Sequence, residues 1–345
     1  MIIRFGTIKK NKKRIGLILG MILLVLVVSS VVSPKSIVEF VQKVGSQIGN
    51  LVSGSSGGWH RDALDGKRED LATTPTREQE AAEAGNLVVH FLDVGQGNAI
   101  LIASEDEYML IDGGNKGHES FVVSYLQNQN IYKLQYLLAS HYDADHISGG
   151  IAALQMFAVG TVLDAGYVWD TGTYETFRSA VAQSGCEEIH PKPGESYRIG
   201  NASFSIVTPQ SYDHEDHNDN SIGVRLCYGD TSFLICGDAG SQMEEEMIAC
   251  GVEIDSDVLV CSHHGSTYST SEEFLEAVSP QVVVLSCGYD NDFGHPSERV
   301  MRLLQEGDYE LYRTDVQSTV IATRDGKKIT WNKPPTDDYS YRIPE

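Results

Sequence analysis

From Asn86 onward the chain is a succession of short apolar runs, and that succession limits what it can fold into. "LVVHFLDVG", "AILIA", "YMLIDGG" and "LQYLLAS" have the length and the β-branched and aromatic content of strands. "SFVVSYLQNQ", between the last two, has helical spacing. Further strands are predicted at "GTVLDAG", "SFSIVTP", "IGVRLCYG", "TSFLICGD", "SDVLVCSHH" and "QVVVLSCG". Helices are predicted at "TYETFRSAVAQ", "SQMEEEMIAC", "SEEFLEAV" and "SERVMRLLQEG", and "STVIATRDGKKITW" reads as a hairpin turning at Asp325–Gly326. Antiparallel pairs come first and strand–helix units follow. The expected architecture is α/β: two sheets packed face to face with helices outside, an αββα sandwich over residues 86–335 with a tail over 336–345.

Nearly every residue that reads as a candidate metal ligand falls at the C-terminal end of one of these strand runs. Asp93 ends "VVHFLD", Asp112 ends "YMLID", Asp238 ends "FLICGD" and His263–His264 ends "VLVCSHH". His295 follows "VVVLSCG" after a short loop. The densest group is "HYDADH", which holds His141, Asp143, Asp145 and His146. Loops leaving one edge of a sheet layer can converge on a single site. His141 and Asp143 can point from a tight loop toward one ion, and Asp145 and His146, at a helix start, toward a second. Asp238 can bridge the two, with a His of the His263–His264 pair completing the shell. Two ions about 3.5–4 Å apart generate a nucleophile from water and clamp a leaving oxygen, which is what hydrolysis of a phosphate ester or acyl bond at neutral pH requires.

The N-terminal end has a different texture. Arg4, Lys9, Lys10, Lys12, Lys13 and Arg14 precede an apolar run, Ile15–Val32, and no acid occurs before it. The run is long enough for one membrane-spanning helix, with the basic flank on the cytoplasmic side. Residues 1–33 are therefore expected to anchor the chain in the cell membrane as a single-pass protein, with the C-terminal domain extracytoplasmic. A cleaved signal peptide, with Ser29, Ser30 and Ser33 near the cut, is the alternative. Residues 34–85 read as a juxtamembrane segment and a flexible linker. The net charge is −22, and setting aside the six N-terminal cations leaves 20 basic against 48 acidic residues, a balance of −28. That balance disfavours non-specific binding to polyanions. Of six cysteines, Cys227, Cys236, Cys261 and Cys287 sit inside apolar runs, and they read as small buried hydrophobes, not as a disulfide framework.

"HYDADHISGG" matches the HxHxDH signature of metallo-β-lactamase-fold hydrolases, with Asp143 in place of the middle His. With "FLDVGQGNAILI", "IDGG", "NDNSIGVRLCYGDTSFLICGD", "CSHHGSTYST" and "GHPS", the region from about Leu87 to Trp331 resembles the extracytoplasmic hydrolase domain of the ComEC competence family. The resemblance implies a metallo-β-lactamase fold and two divalent metal ions, zinc or manganese. It implies that His141 and Asp143 hold one ion and Asp145 and His146 the other, with Asp238 bridging and His264 as the distal ligand. His263 then stands beside the reacting phosphate, and Asp145 counts among the catalytic residues as well as the ligands. Many members carry another His ahead of the bridging Asp. Here Asn220 or Ser221 stands in that place, which makes the first set oxygen-rich, and the Asp143 carboxylate, a harder ligand than imidazole, makes it more tolerant of manganese or iron. ComEC-type sequences usually show Asp where this chain has Asn98.

Asp112 is expected to orient the His141 loop by hydrogen bonding, with Asp93 a weaker candidate for the same kind of role. His295 is expected to contact substrate or relay a proton. Gln96 and Gly97 are expected to shape the loop beneath the site. His60, His90, His118, His190, His214 and His217 read as structural or solvated, although His214 and His217 share the acidic loop "SYDHEDHNDN", where a separate regulatory metal site is an alternative. Three functions compete. The first is an extracytoplasmic metal-dependent phosphodiesterase, with DNA as one candidate substrate and hence nuclease activity. The second is a hydrolase of a cell-wall or small phosphodiester, like phosphorylcholine esterases of this fold. The third is a non-catalytic interaction module, metal-binding or metal-free, whose chemistry has been lost. No protein partner is indicated, and one spanning segment does not make the multi-helix channel of ComEC.

Overall fold

The computed structural model describes residues 86–325 and 327–343. The expected anchor and linker lie outside the described residues, as does Gly326 of the expected hairpin turn. No helix among the described residues is long and apolar enough to cross a membrane.

In chain order the elements are β1 (Leu87–Phe91), β2 (Ile100–Ser104), β3 (Glu107–Ile111), α1 (Glu119–Asn128), β4 (Lys133–Leu138), α2 (Ala144–Met156), β5 (Ala158–Leu163), α3 (Gly172–Ser184), β6 (Glu187–Ile189), β7 (Ser196–Ile199), β8 (Ala202–Thr208), β9 (Gly223–Tyr228), β10 (Thr231–Ile235), α4 (Ser241–Cys250), β11 (Val258–Val260), α5 (Glu272–Val278), β12 (Val282–Leu285), α6 (Glu298–Glu306), β13 (Glu310–Arg313), α7 (Thr314–Gln317), β14 (Val320–Arg324) and β15 (Ile329–Trp331). They form two sheets, ordered β15-β14-β1-β2-β3-β4-β5-β6 and β13-β12-β11-β10-β9-β8-β7. Each sheet starts with antiparallel pairs and ends with parallel ones: β1–β2 and β2–β3 are antiparallel and β3–β4 to β5–β6 parallel. Likewise β7 to β10 pair antiparallel and β10 to β13 parallel. Parallel neighbours need a crossover, and α1 to α3 and α4 to α6 supply them. The short strands β6, β7 and β13 were not among the runs read as strands, because each has only three or four residues and at least half of them are polar.

The layering follows from side chains alternating across each strand. In the second sheet Phe233, Ile235, Val258, Val260, Val282 and Val284 join the central cluster with Leu87, Val89 and Phe91 of β1. The intervening Leu234, Leu259, Val283 and Leu285 pack instead with Met243 and Met247 of α4, Phe274 of α5 and Val300 of α6. Strands apolar on both faces must be covered on both faces, and the αββα sandwich is the result. Side-chain caps mark helix starts: Thr171, Ser271 and Ser297 each accept from a backbone N–H one turn in.

All six cysteines are free, and Cys236, Cys261 and Cys287 are buried. Beyond β15, the tail lies against the domain. The fully buried Arg313 donates to the carbonyls of Asp338 (2.8 Å) and Ser340 (2.7 Å) and pairs with Asp315.

Candidate metal centre

Strand register brings the chemistry together. Ile111 pairs with Leu138 at the ends of β3 and β4, and Ile235, Val260 and Val284 are level across β10, β11 and β12. The loops that follow therefore leave at one height, carrying Asp112 and His141 from one sheet and Asp238, His263 and His264 from the other. The two edges touch: Ile222 N–H donates to Ser140 O (2.9 Å), and a Cβ on Gly237 would lie 2.8 Å from that of Ser140.

The α2 start is fitted to this edge by glycines. A Cβ on Gly113 would lie 2.1 Å from Gly150 N, and one on Gly149 would lie 2.0 Å from Gly113 O. The glycine pairs of "IDGG" and "HISGG" thus face each other, and this contact sets how close His146 comes to Asp112. Asp143 takes the N-cap position of α2, yet its carboxylate makes no cap hydrogen bond and is left to face the site. Beneath Asp145, Asn98 N–H donates to Asp145 O (3.2 Å), and Gly97 leaves no room for a side chain there. That agrees with the loop-shaping role expected of this stretch. Gln96 does more: its Nε2 lies 3.3 Å from His295 Nδ1.

Asp112, buried, accepts from Ser140 N–H (2.8 Å), Ser140 Oγ–H (2.9 Å) and His146 Nδ1–H (2.8 Å). His264 Nδ1–H donates to Ser286 O (2.8 Å). In both rings this leaves the Nε2 lone pair directed at one point. His146 Nε2 is 3.2 Å and His264 Nε2 3.4 Å from Asp238 Oδ1, and His264 Nε2 is 3.5 Å from Asp145 Oδ2. Asp145, His146, Asp238 and His264 present ligand atoms all within 4.8 Å of one another. His141 Nε2, His146 Nε2, His264 Nε2 and Asp238 Oδ1 are buried without a hydrogen-bond partner among the described residues. Leaving four such atoms buried and unpaired costs on the order of 1–3 kcal/mol each. A cation among them removes that penalty, so the donor set fits the divalent ions that the resemblance implies.

The electrostatics agree. Burial works against charge on His146, but Asp238 and Asp112 outweigh it and hold its pKa well above the usual value. Against the same burial, Asp238 and Asp145 push His264 up to about 10. Burial would raise Asp238, yet His146 and His264 hold it well below the carboxylate range. The negative potential that raises both imidazoles is the same potential that attracts divalent cations once the ligands are deprotonated. Burial lowers His141 to about 4, helped by His146.

His263 and His264 both sit at positive φ, +50° and +56°. For residues with a Cβ this costs about 1–2 kcal/mol each. The strained turn directs both rings of one dipeptide toward Asp238, with His263 Nε2 3.6 Å from Oδ2 and partly open to solvent. His295 is mostly buried, its ring 5.4 Å from that of His263, and burial, then His264 and His263, lower it to about 4.

Two of the expected supporting residues stand elsewhere. Asp93 turns its carboxylate onto Gly95 N–H of its own loop (3.4 Å), and no described hydrogen bond joins it to the cluster. Asn220 holds the backbone of His214 (3.2 and 3.3 Å). Ser221 does reach the centre: its Oγ accepts from Asp238 N–H (3.1 Å) and lies 3.3 Å from His141 Nδ1.

One residue read as structural or solvated is drawn in. His217, in a short 3-10 turn ahead of β9, places Nε2 3.0 Å from Asp143 Oδ2 and stacks on Trp169 (4.3 Å between rings, 28°). His214 turns away toward Glu246 (3.8 Å). The only signal for His217 in the sequence was its place in the acidic loop a few residues ahead of "SIG". A second group, Asp164, Glu188 and His190, is knit together by Arg178 and reads as an ion network.

Two cavities touch the centre. One of about 840 Å³ lies beside Asp143, between α2 and the start of α3, with Lys116, Tyr142, Gln155 and Thr173 on its walls. The other, about 340 Å³, is bounded by His295, Tyr268, Phe293 and Arg342.

This fold and this cluster define a class, and comparison with known proteins agrees. Residues 92–289 match the metallo-beta-lactamase superfamily, and the chain belongs to it. Members are usually metal-dependent hydrolases. Within it the chain is similar to competence protein ComA of Neisseria gonorrhoeae, at 30% identity over 72% of this chain and 34% of that protein. It is 28% identical to ComE operon protein 3 of Bacillus subtilis (strain 168) over 67% of this chain and 32% of that protein. The chain spans about a third of the length of these relatives. Among solved structures, the metallo-beta-lactamase fold protein YhfI from Bacillus subtilis aligns with a TM-score of 0.47 at 14% identity, over 69% of this chain and 99% of that one.

Proposed function

We propose that this chain is a two-metal phosphodiesterase acting outside the cytoplasmic membrane, with DNA as the first candidate substrate. The observation that carries the reading is the convergence of four buried, unpaired ligand atoms from His141, His146, His264 and Asp238. In this reading His141 and Asp143 hold one ion, Asp145, His146 and His264 the other, and Asp238 is shared. Bound there, zinc or manganese supplies Lewis acidity and a nucleophile made from water at neutral pH. Asp112 and Ser286 O hold His146 and His264 in the tautomer that leaves Nε2 free. His263, neutral and partly open to solvent, is the donor toward the phosphoryl oxygens, and His295, oriented by Gln96, stands next to it as a second neutral hydrogen-bond donor to substrate. Cavities beside both Asp143 and His295 give room for chain on either side of the bond cut, which favours a polymer. The resemblance to the ComEC competence family is what puts DNA first, and similarity to competence protein ComA fits that resemblance. The acidic balance, −22 overall, favours the second reading, a smaller or cell-wall phosphodiester.

The test is metal analysis of the full chain purified without chelator, followed by rates on bis-p-nitrophenyl phosphate and on linear DNA. Two ions and cleavage of both substrates support the first reading. Cleavage of the small ester alone selects the second. No metal and no hydrolysis in zinc- and manganese-supplemented buffer refute both and leave the interaction module. Orientation is tested separately: protease added to intact cells should release a fragment containing the His141 loop.

A further inference from the structure

One side of the centre leaves large aromatic rings in water. Tyr268 is 75% exposed and Phe293 62%, and both line the cavity of about 340 Å³ that His295 bounds. Tyr341 of the tail, 39% exposed, lines it too. Single exposed apolar side chains need no explanation, but three rings around one hollow beside a candidate site mark a binding surface.

The rings stand on fixed supports. Tyr268 O accepts from Ser241 N–H at the start of α4 (2.8 Å), and Tyr268 N–H donates to Ser266 Oγ (3.3 Å). Asn291 Oδ1 accepts from Phe293 N–H (3.1 Å) and from His295 N–H (3.0 Å), and the Phe293 and His295 rings stack 5.9 Å apart at 26°. The tail closes the cavity because Arg342 N–H donates to Pro296 O (3.0 Å) while Arg313 holds the carbonyls of Asp338 and Ser340. Arg342 also brings charge to the wall. Its guanidinium lies 4.2 Å over the centre of the Tyr289 ring, and Nε and Nη2 have no hydrogen-bond partner among the described residues. Asp315, 3.7 Å away, already gives both oxygens to Arg313 (3.0 and 2.7 Å). Glu298, the acid on the cavity wall, is paired with Arg302 (2.5 Å). A guanidinium fork with spare donors suits a phosphate, and ring faces suit a base.

We propose that this cavity is a nucleobase subsite, in which one base next to the phosphodiester cut at the centre stacks against Tyr268 and Phe293 while Arg342 meets a backbone phosphate; the inference rests on the phosphodiesterase reading with DNA as substrate. The size agrees, since 340 Å³ lies at the small end of ligand clefts, about 300–1,000 Å³, and has room for one nucleoside but not for a duplex. A base offers its face only when it leaves the helical stack, so the subsite selects a single strand. No Asn or Gln lines the cavity among the described residues, so the base is held by its face and not read by its edge.

The rival occupant is a base-free polymer of sugar or polyol phosphate, and strands with and without bases separate the two. A short labelled oligothymidylate, and a strand of equal length and charge made only of abasic deoxyribose phosphate, are bound to the full-length protein in chelator and read by fluorescence anisotropy. Both are then given to the metal-loaded protein and cleavage is followed. Wild type should bind the thymidylate strand about 10-fold tighter than the abasic strand, and tighter than its duplex with oligoadenylate. Tyr268→Ala and Phe293→Ala should each reduce that preference and together abolish it, whereas Tyr268→Phe, which keeps a ring face, should retain it. Arg342→Gln should weaken both strands alike and lower the salt dependence by about one phosphate contact. Melting temperatures within a few degrees of wild type show that the variants are folded. Equal affinity of wild type for the two strands, or a preference that survives the double alanine variant, overturns the inference whether or not the strands are cut. A preference lost in that variant, with no hydrolysis by metal-loaded wild type, removes the phosphodiesterase reading and leaves the cavity as a binding site for a single strand.

Discussion

Asp112→Asn changes one oxygen to an NH2 group and should cripple half of the centre. The carboxylate accepts three hydrogen bonds, from Ser140 N–H, Ser140 Oγ–H and His146 Nδ1–H. An amide has one acceptor end. If that end stays on Ser140 N–H, the NH2 faces His146 Nδ1 and forces the proton onto Nε2, where the lone pair for the ion should be. If the amide flips, NH2 meets the buried Ser140 N–H. Either way one donor is left unpaired, at a cost of about 1–3 kcal/mol. The effect on the ion should match the loss of a partner that orients a ligand, about 10–100-fold in affinity, or roughly 1.4–2.8 kcal/mol. The assay is a chelator competition on wild type and variant, with thermal melts of both metal-free proteins alongside. Ser140→Ala is the control, since it removes the hydroxyl but leaves the carboxylate on His146, and its metal affinity should change less. Should Asp112→Asn lower the metal-free melting temperature while both ions bind as tightly as in wild type, the tautomer argument is wrong and Asp112 is only a brace for the loop.

Asp238→Ala should remove activity and metal together, since its Oδ1 is the carboxylate atom nearest the Nε2 of both His146 and His264; retention of two ions would overturn its shared role. His263→Ala should keep two ions and slow turnover about 10²–10³-fold, the usual effect of a donor aimed at transition-state charge; loss of an ion would exchange its role with that of His264. Gly149→Ala should destabilise by about 1–3 kcal/mol in a denaturant titration, because the new Cβ meets Gly113 O, and an unchanged midpoint would contradict the close approach. His90, buried against Tyr125, is lowered by burial from 6.5 to about 3, so the folded state keeps it neutral while the unfolded chain takes up a proton. Its contribution is present above pH 6.5 and should decline by about 2 kcal/mol between pH 7 and 5. His90→Phe should flatten that part of the stability curve, and an equally steep acid limb in the variant would show that other groups cause it.

The sandwich was legible in the sequence because its evidence is local. Alternating apolar runs, Ser and Thr caps and the order of strand pairs and strand–helix units are written into short windows. The convergence of candidate ligands at strand ends was legible for a related reason: His141, Asp145, His146 and Asp238 sit next to runs whose strand character fixes where they leave the sheet. Tertiary structure alone decided how these pieces meet. Whether Asp93 or Asp112 backs the site depends on which neighbouring loop each strand end touches, and Ser140 brings that contact only to Asp112. The turn that directs both His263 and His264 at Asp238 needs two consecutive positive φ values, which no sequence pattern announces for histidine. His217 is the sharpest case. In the chain it is one imidazole in an acidic loop, 74 residues from Asp143, and only the packing of that loop over α2, with Trp169 behind the ring, brings Nε2 to the Asp143 carboxylate. Sequence spacing carries the geometry of a single element, whereas contacts between elements follow from how two sheets close on each other.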